Sequence, residues 1–300
     1  MHWRKTAVVT LGVTLLVGAA TLWHGAAELD AELHTQRTRL EVQTLQAAPG
    51  AVSVAVRVDW AQAGLPPPVA RYLQFAFPQG APATSAPVVA QMQMAGRFRR
   101  PRTEGFTPTT ARQLASSAVP ALVFDATTEL LGGVLWARAW DAYVEGRMRM
   151  QARVLSAVTV LDEFSSPELD RISLRRWLLE SPLYPQALLP GGWVTWEAVD
   201  LHSARAVARW GGLEAKLLAR FGPDGSLQSM EAEEDGDLNT PYHGSGEHVV
   251  RSRYRLVDGV NVPMHFVISR RAGGVNHPFW EGDITSLELR PATAAARPTI

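Results

Sequence analysis

Two groups of side chains in this 300-residue chain have the composition that chemistry requires. His243-Gly244-Ser245-Gly246-Glu247-His248 places two histidines, a serine and a carboxylate within six residues. A metal needs three or four converging ligands, so His265 or His277 would have to complete the set. A polar, glycine-rich turn uses the same residues. The acidic run Glu231-Ala232-Glu233-Glu234-Asp235-Gly236-Asp237 offers oxygen ligands but lacks the alternating spacing of a calcium loop, so it reads as a solvated loop. Gly-x-Ser-x-Gly, Ser-x-x-Lys, His-Glu-x-x-His and P-loop patterns are missing from the sequence. With no cysteine in the chain, thiolate metal sites, disulfides and cysteine nucleophiles are excluded. The expectation is a protein without cofactor or metal that is not an enzyme. A hydrolase using Asp141 or the His243–His248 loop stands as an alternative.

Asp141 is the third candidate. Glu145-Gly146 separates Val134–Val144 from Arg147–Val158 and occupies the place of a two-residue hairpin turn. That register sets Val144 opposite Arg147, Tyr143 opposite Met148 and Asp141 opposite Met150. A carboxylate on so apolar a face must find a cation, a hydroxyl or a ligand, because burying it unpaired costs several kcal/mol. Asp125 and Glu129 on the preceding strand are possible companions. Trp136, Arg138 and Trp140 fall on the opposite face.

These residues need a scaffold, and the periodicities supply one. Gln91-Met92-Gln93-Met94 alternates, and the alternation places Met92, Met94 and Phe98 together. Phe106–Ser116 and Ala121–Leu130 precede the hairpin. Val194–Asp200, Ala204–Trp210, Leu213–Phe221, Ser226–Glu233, Val249–Val257, Val260–Arg270 and Ile284–Leu289 follow it. With Ala51–Asp59, these short strands are joined by tight turns and pair with their sequence neighbours. Two helices accompany them. One, around Val69–Ala76, begins after Pro66-Pro67-Pro68. The other begins at Ser166-Pro167 and carries Leu169, Ile172, Leu174, Trp177 and Leu178 on an apolar stripe, with Arg171, Arg175 and Arg176 largely off it. The fold class is α+β, mainly β: a curved antiparallel meander, a half-barrel, with covering helices. Its hollow face would carry Met92, Met94, Phe98, Asp141, Tyr143, Met148, Met150 and Trp177 as ligand-binding residues, with the Leu169–Leu178 helix and the Pro185–Pro190 turn as a lid. Amphipathic aromatics and adaptable methionines suit a lipid or other hydrophobic small molecule.

At the N-terminus, Arg4-Lys5 precedes an uncharged segment from Thr6 to Trp23. As a helix it spans roughly 27 Å, near the thickness of a bilayer's hydrocarbon. Acidic Glu28, Asp30 and Glu32 follow it, which orients the remainder outside the cytoplasm. The expected organisation is an anchor or signal at 1–27, a helical stalk at 28–50, one extracytoplasmic β-rich domain at 51–290 and a disordered tail at 291–300. The protein would sit in the inner membrane with its domain on the periplasmic side, or be secreted after cleavage near Ala27. Zero net charge argues against a nucleic-acid partner. The membrane is the expected partner, and a protein-interaction or scaffold role in the envelope is the second reading.

The ordered set Leu65-Pro66, Val69-Ala70-Arg71-Tyr72-Leu73, Gly96-Arg97-Phe98, Asp141-Ala142-Tyr143 with Gly146, Pro185 with Ala187-Leu188-Leu189-Pro190, and Trp196-Glu197 resembles a bacterial family of unknown function. Its members are membrane-anchored or exported, and the resemblance covers roughly Leu65 to Leu289. It implies kinship without chemistry. More distantly, the architecture is similar to lipoprotein-carrier half-barrels, and Val257-Asp258-Gly259-Val260-Asn261-Val262-Pro263 looks like a hairpin near their end. That resemblance implies ligand holding.

Overall fold

The computed structural model describes residues 2–47, 60, 64–80, 88–100, 103–236, 238 and 247–291, with side chains from Leu16 onward. The strand expected at Ala51–Asp59, His243 through Gly246, and the tail beyond 291 lie outside the described residues.

Thirteen strands form one antiparallel sheet. Six come first: β1 (Val88–Phe98), β2 (Thr107–Ser116), β3 (Ala121–Leu130), β4 (Leu135–Val144), β5 (Arg147–Val154) and β6 (Val158–Phe164). Seven follow: β7 (Val194–Ala198), β8 (Ser203–Trp210), β9 (Leu213–Phe221), β10 (Leu227–Glu231), β11 (Glu247–Val257), β12 (Val260–Ala272) and β13 (Val275–Pro291). Strands β1 to β6 step outward to one edge, and β7 to β13 step back from the other until β13 pairs with β1. The chain therefore crosses once from edge to edge, between Phe164 and Val194, and carries a helix on the way. Laid flat, thirteen strands would be about 58 Å across, whereas the fourteen-residue helix in that crossing is only about 21 Å long. A compact connection of that kind suits a curled sheet better than a flat one.

The sheet does curl. The β4–β5 and β8–β9 turns sit at opposite ends of their strands, nine strands apart in the sheet order. A twist of roughly 20° per step accumulates about 180° over that distance. The turns meet: a Cβ on Gly146 would lie 3.3 Å from the Trp210 Nε1. Trp193 stacks edge-on against Trp210 at 4.5 Å and donates from Nε1 to the Ala118 carbonyl at 2.8 Å. The trough is thus bridged at one end, while β6 and β7 remain edges and the barrel stays open.

The hairpin register is as the sequence predicts: Val144 faces Arg147, Tyr143 faces Met148 and Asp141 faces Met150. Glu145 and Gly146 take φ of 55° and 76°, the left-handed pair that a two-residue turn demands. Two strands exceed the sequence reading. Arg147–Val158 breaks into β5 and the start of β6, because Leu155 and Ser156 turn with positive φ (53° and 58°). Neither is among the Asn, Asp and Gly types that such a left-handed pair favours. The expected Ile284–Leu289 strand is the end of the seventeen-residue β13. Pro278 and Gly282 mask its beginning in sequence, and Gly282 is needed there, since a Cβ would sit 2.5 Å from the Ala95 carbonyl oxygen.

Helices occupy both faces. On the hollow side lie α2 (Pro67–Ala76), α3 (Pro167–Glu180) and the single turns Ser181–Leu183 and Pro185–Leu188. Ser166 caps α3, its hydroxyl accepting from the Leu169 N–H at 3.2 Å. On the outer side lies α1 (His2–Gln46). The segment expected as a helical stalk continues α1 as far as Gln46 and lies on the sheet. Leu29, Leu33 and Leu40 are buried against Leu114, Val123, Trp140 and Ala142, so the loosely spaced leucines are a packing stripe. Among the described residues no helix is long and apolar enough to cross a membrane. The span expected at Thr6–Trp23 is helical but falls largely on residues whose side chains lie outside the described set.

Candidate functional site

The hollow face is built by cross-strand rows. Met92, Gln113, Phe124, Asp141 and Met150 stand opposite one another across β1 to β5, and Leu122, Tyr143 and Met148 form the adjacent row. Over the other half, Ala204, Ala206 and Ala208 of β8 pair with Ala219, Leu217 and Ala215 of β9. This alanine floor admits the backbone of α3 close to the sheet. The Trp177 indole reaches across and donates to the Ser116 carbonyl at 2.8 Å, and the Tyr184 hydroxyl donates to the Trp177 carbonyl at 2.7 Å.

Where α3 overhangs β2 to β5, its contacts turn polar. Arg176 Nη1 donates to Asp141 Oδ2, and its Nε donates to Glu180 Oε1 at 2.9 Å. Its guanidinium lies over the Phe124 ring, 4.7 Å from the centroid. Gln113 Nε2 donates to the second oxygen of Glu180. Asp170 accepts from the Met148 N–H at 2.7 Å and from the Ser165 hydroxyl at 2.7 Å. Deeper along the helix, Arg175 Nε meets Glu247 Oε2 at 3.3 Å, and Arg251 Nη2 reaches the Leu179 carbonyl at 3.4 Å. Asp141 Oδ1, Gln113 Oε1, Tyr143 Oη, Arg175 Nη2 and Arg251 Nε are buried with no hydrogen-bond partner. Burial lifts the Asp141 carboxyl above the usual carboxylate range, against the opposing pull of Arg176. Burial likewise pushes the Tyr143 phenol up and lowers the Arg251 guanidinium, against the pull of Glu180.

Of the sequence-predicted residues, Met92, Asp141, Tyr143, Met148 and Trp177 converge around α3. Met94 lies on the same face, buried in the same core. Met150 is half-buried opposite Asp141. Phe98 lies apart, at the far end of β1, edge-on to Phe279 at 6.2 Å. Asp125 and Glu129 do not join Asp141. They stand opposite Trp140 and Trp136 on the outer face, where Arg37 and Arg112 (Nη2, 3.0 Å) hold the buried Asp125. Alternation in β3 makes the two faces exclusive.

Arg175 and Arg176 also depart from the sequence reading. Expected largely off the buried stripe, both serve the interior, Arg175 at 3% exposure, because a helix inside a trough is covered on more than one side. Arg176, Glu180, Gln113, Arg175, Arg251 and Glu247 were not legible as a group. The one usable signal was the requirement that Asp141 find a cation. In the 243–248 loop it is Glu247 that enters the trough. His248 stands next to it on β11 and so points to the other face, opposite Glu231, its imidazole held below the usual histidine range by burial. Glu231 is itself held by Arg220 and Arg271, each at 2.9 Å. Among the described residues no three histidine or acidic side chains are placed to hold a metal ion.

Two clefts border this arrangement. One of about 680 Å³ opens at the bridged end, between Gly146, Ser166, Asp170, Trp193 and Trp210. The other, about 670 Å³, lies between α1 and the outer face, near Arg37, Arg112 and Arg138.

Chemically, the interior pairs Arg176 with Asp141 and Glu180 and Arg175 with Glu247, while the buried Arg251 reaches a backbone carbonyl. It is a polar latch in an apolar trough. Neither a curated protein nor a solved structure matches the chain. A family model does match, over residues 63–289, which takes in α2, the whole sheet except the last residues of β13, and α3. The chain belongs to that family, the family of unknown function DUF6920.

Proposed function

We propose that this chain is a non-enzymatic protein of the cell envelope, held at the membrane by its N-terminal helix, whose trough takes a hydrophobic ligand such as a lipid acyl chain in exchange for part of α3. The observation that supports the reading is the uneven seating of that helix. One side rests on the alanines of β8 and β9, where apolar contact is continuous. The other reaches Asp141, Gln113 and Met148 through ion pairs and hydrogen bonds. Buried charge pairs add little net stability over apolar packing of the same volume, since desolvation consumes most of the attraction. The helix is therefore firmly seated on one half and lightly latched on the other. Lifting the latch uncovers Met92, Tyr143 and Met148, and the cleft at Gly146 and Trp210 is the way in.

The test is native mass spectrometry and lipid extraction of the purified full chain, with uptake of a fluorescent fatty acid by the wild type and Arg176→Gln. Weakening the latch should raise probe uptake several-fold. No bound lipid and no uptake by either protein would remove the proposal.

A second reading, an interaction module with a permanently filled trough, is favoured by the burial of Met92, Tyr143, Met148 and Trp177, none more than 5% exposed. Under it, Arg176→Gln lowers stability and leaves probe uptake at background. Partner capture from detergent then depends on the unpaired edges β6 and β7.

A further inference from the structure

We infer that the end of the sheet at which α1 leaves it rests directly on a lipid bilayer, with the β3–β4 and β5–β6 turns seated among the headgroups. The inference rests on the anchoring part of the proposed function and adds the surface by which the domain meets the membrane.

Helix α1 runs along the outer face from the β4–β5 turn, where the Glu145 N–H donates to Gln43 Oε1 at 3.0 Å, to the β5–β6 turn at the other end. There Gly25 is pressed on the backbone: a Cβ would lie 2.4 Å from the Ser156 carbonyl oxygen. Arg153 fastens the contact, donating to the Gly25 carbonyl at 3.1 Å and meeting Glu28 at 3.3 Å. Upstream the helix continues past the sheet, with Leu16, Val17 and Trp23 exposed.

This end carries large aliphatic side chains in the positions where turns ordinarily place polar ones. Leu131 and Val134 flank the two glycines of the β3–β4 turn at 77% and 75% exposure. Val158 and Val160 begin the edge strand β6 at 60% each. Isolated exposed aliphatics need no explanation, but four at one end of a sheet, beside the exit of an uncharged helix, form a surface with a single orientation. Its depth is fixed by the helix. Gly25 lies two residues beyond Trp23, an axial rise of about 3 Å. If Thr6–Trp23 fills the hydrocarbon, the Ser156 turn is held at the level of the headgroups. Trp23 and Trp136, whose Nε1 donates to the Ser156 hydroxyl at 3.2 Å, are the side-chain type that settles at that level. The occupant this describes is a bilayer, because the aliphatics surround the exit of the uncharged stretch of α1.

The chain has no cysteine, so single reporters can be introduced without background. The full chain would be reconstituted in nanodiscs of phosphatidylethanolamine and phosphatidylglycerol. It would carry an environment-sensitive fluorophore at Val134→Cys, Val158→Cys, Arg147→Cys or Leu16→Cys, with spin-labelled lipid as quencher. Arg147 begins β5 at the opposite end of the same hairpin and is exposed. Quenching at Val134 and Val158 should exceed that at Arg147 by at least threefold, with Leu16 quenched most. Strong quenching at Leu16 with Val134 and Val158 no different from Arg147 would overturn the inference and leave the anchor standing. An unquenched Leu16 would remove the anchor, and the surface with it.

Discussion

Asp141 shows how a sheet handles a carboxylate it cannot expose. Its register partners are Phe124 and Met150, so the countercharge it meets comes from above, from Arg176 of α3. Burial still raises its pKa over that of an exposed aspartate, and the sign of the consequence follows. Between the unfolded and the folded pKa the native state binds more proton than the unfolded chain, so stability falls as pH rises through that window. Asp141→Asn should flatten this part of the stability–pH curve, measured by urea unfolding from pH 4 upward. An unchanged slope would mean that the carboxyl is already ionised throughout. Gly96 makes the opposite kind of residue-scale demand. A Cβ there would lie 2.1 Å from the Glu281 carbonyl oxygen, and the backbone must move to admit it. Gly96→Ala should cost about 1–3 kcal/mol, the usual range for forced overpacking, read as a lower urea midpoint.

Among the elements, α3 and α1 carry the contrast between what is capped and what is packed. Ser166 serves α3 locally, and Ser166→Ala should cost about 1 kcal/mol through the lost cap, with little change in the rest of the fold. If α3 is the moving element, the same variant should also quicken uptake of the fatty-acid probe. That effect would separate a lid from a fixed core helix. Helix α1 is held by side chains spaced for one face. Leu33→Ala should destabilise the whole domain by about 2–5 kcal/mol, as core leucine truncations do. A stalk standing clear of the sheet would show no change in the denaturant midpoint.

For the whole molecule, the decisive quantity is accumulated twist. Nine strand steps bring the β4–β5 turn to the β8–β9 turn, and Trp193 and Trp210 close the contact. The single crossing from β6 to β7 runs over the hollow side of the curled sheet, and α3 lies within it. The helix that fills the trough thus belongs to the one connection that joins the two edges of the strand order.

Alternation, turn residues and caps determined most of the strands, the Glu145-Gly146 register, both trough helices and the apolar character of the face that Met92 and Tyr143 share. These are short-range properties, since side-chain direction in a strand reverses at every residue and a helix start is written in three or four positions. The uncharged N-terminal segment was equally legible as a composition. Left unwritten was everything that depends on residues far apart in the chain. Arg176 meets Asp141 across 35 positions and Arg37 meets Asp125 across 88. The helical stalk packs its leucines on the sheet, and two arginines of α3 turn inward. Each of these was settled by which surfaces the curled sheet brings face to face, because burial is a property of the assembled layers and no single segment carries it.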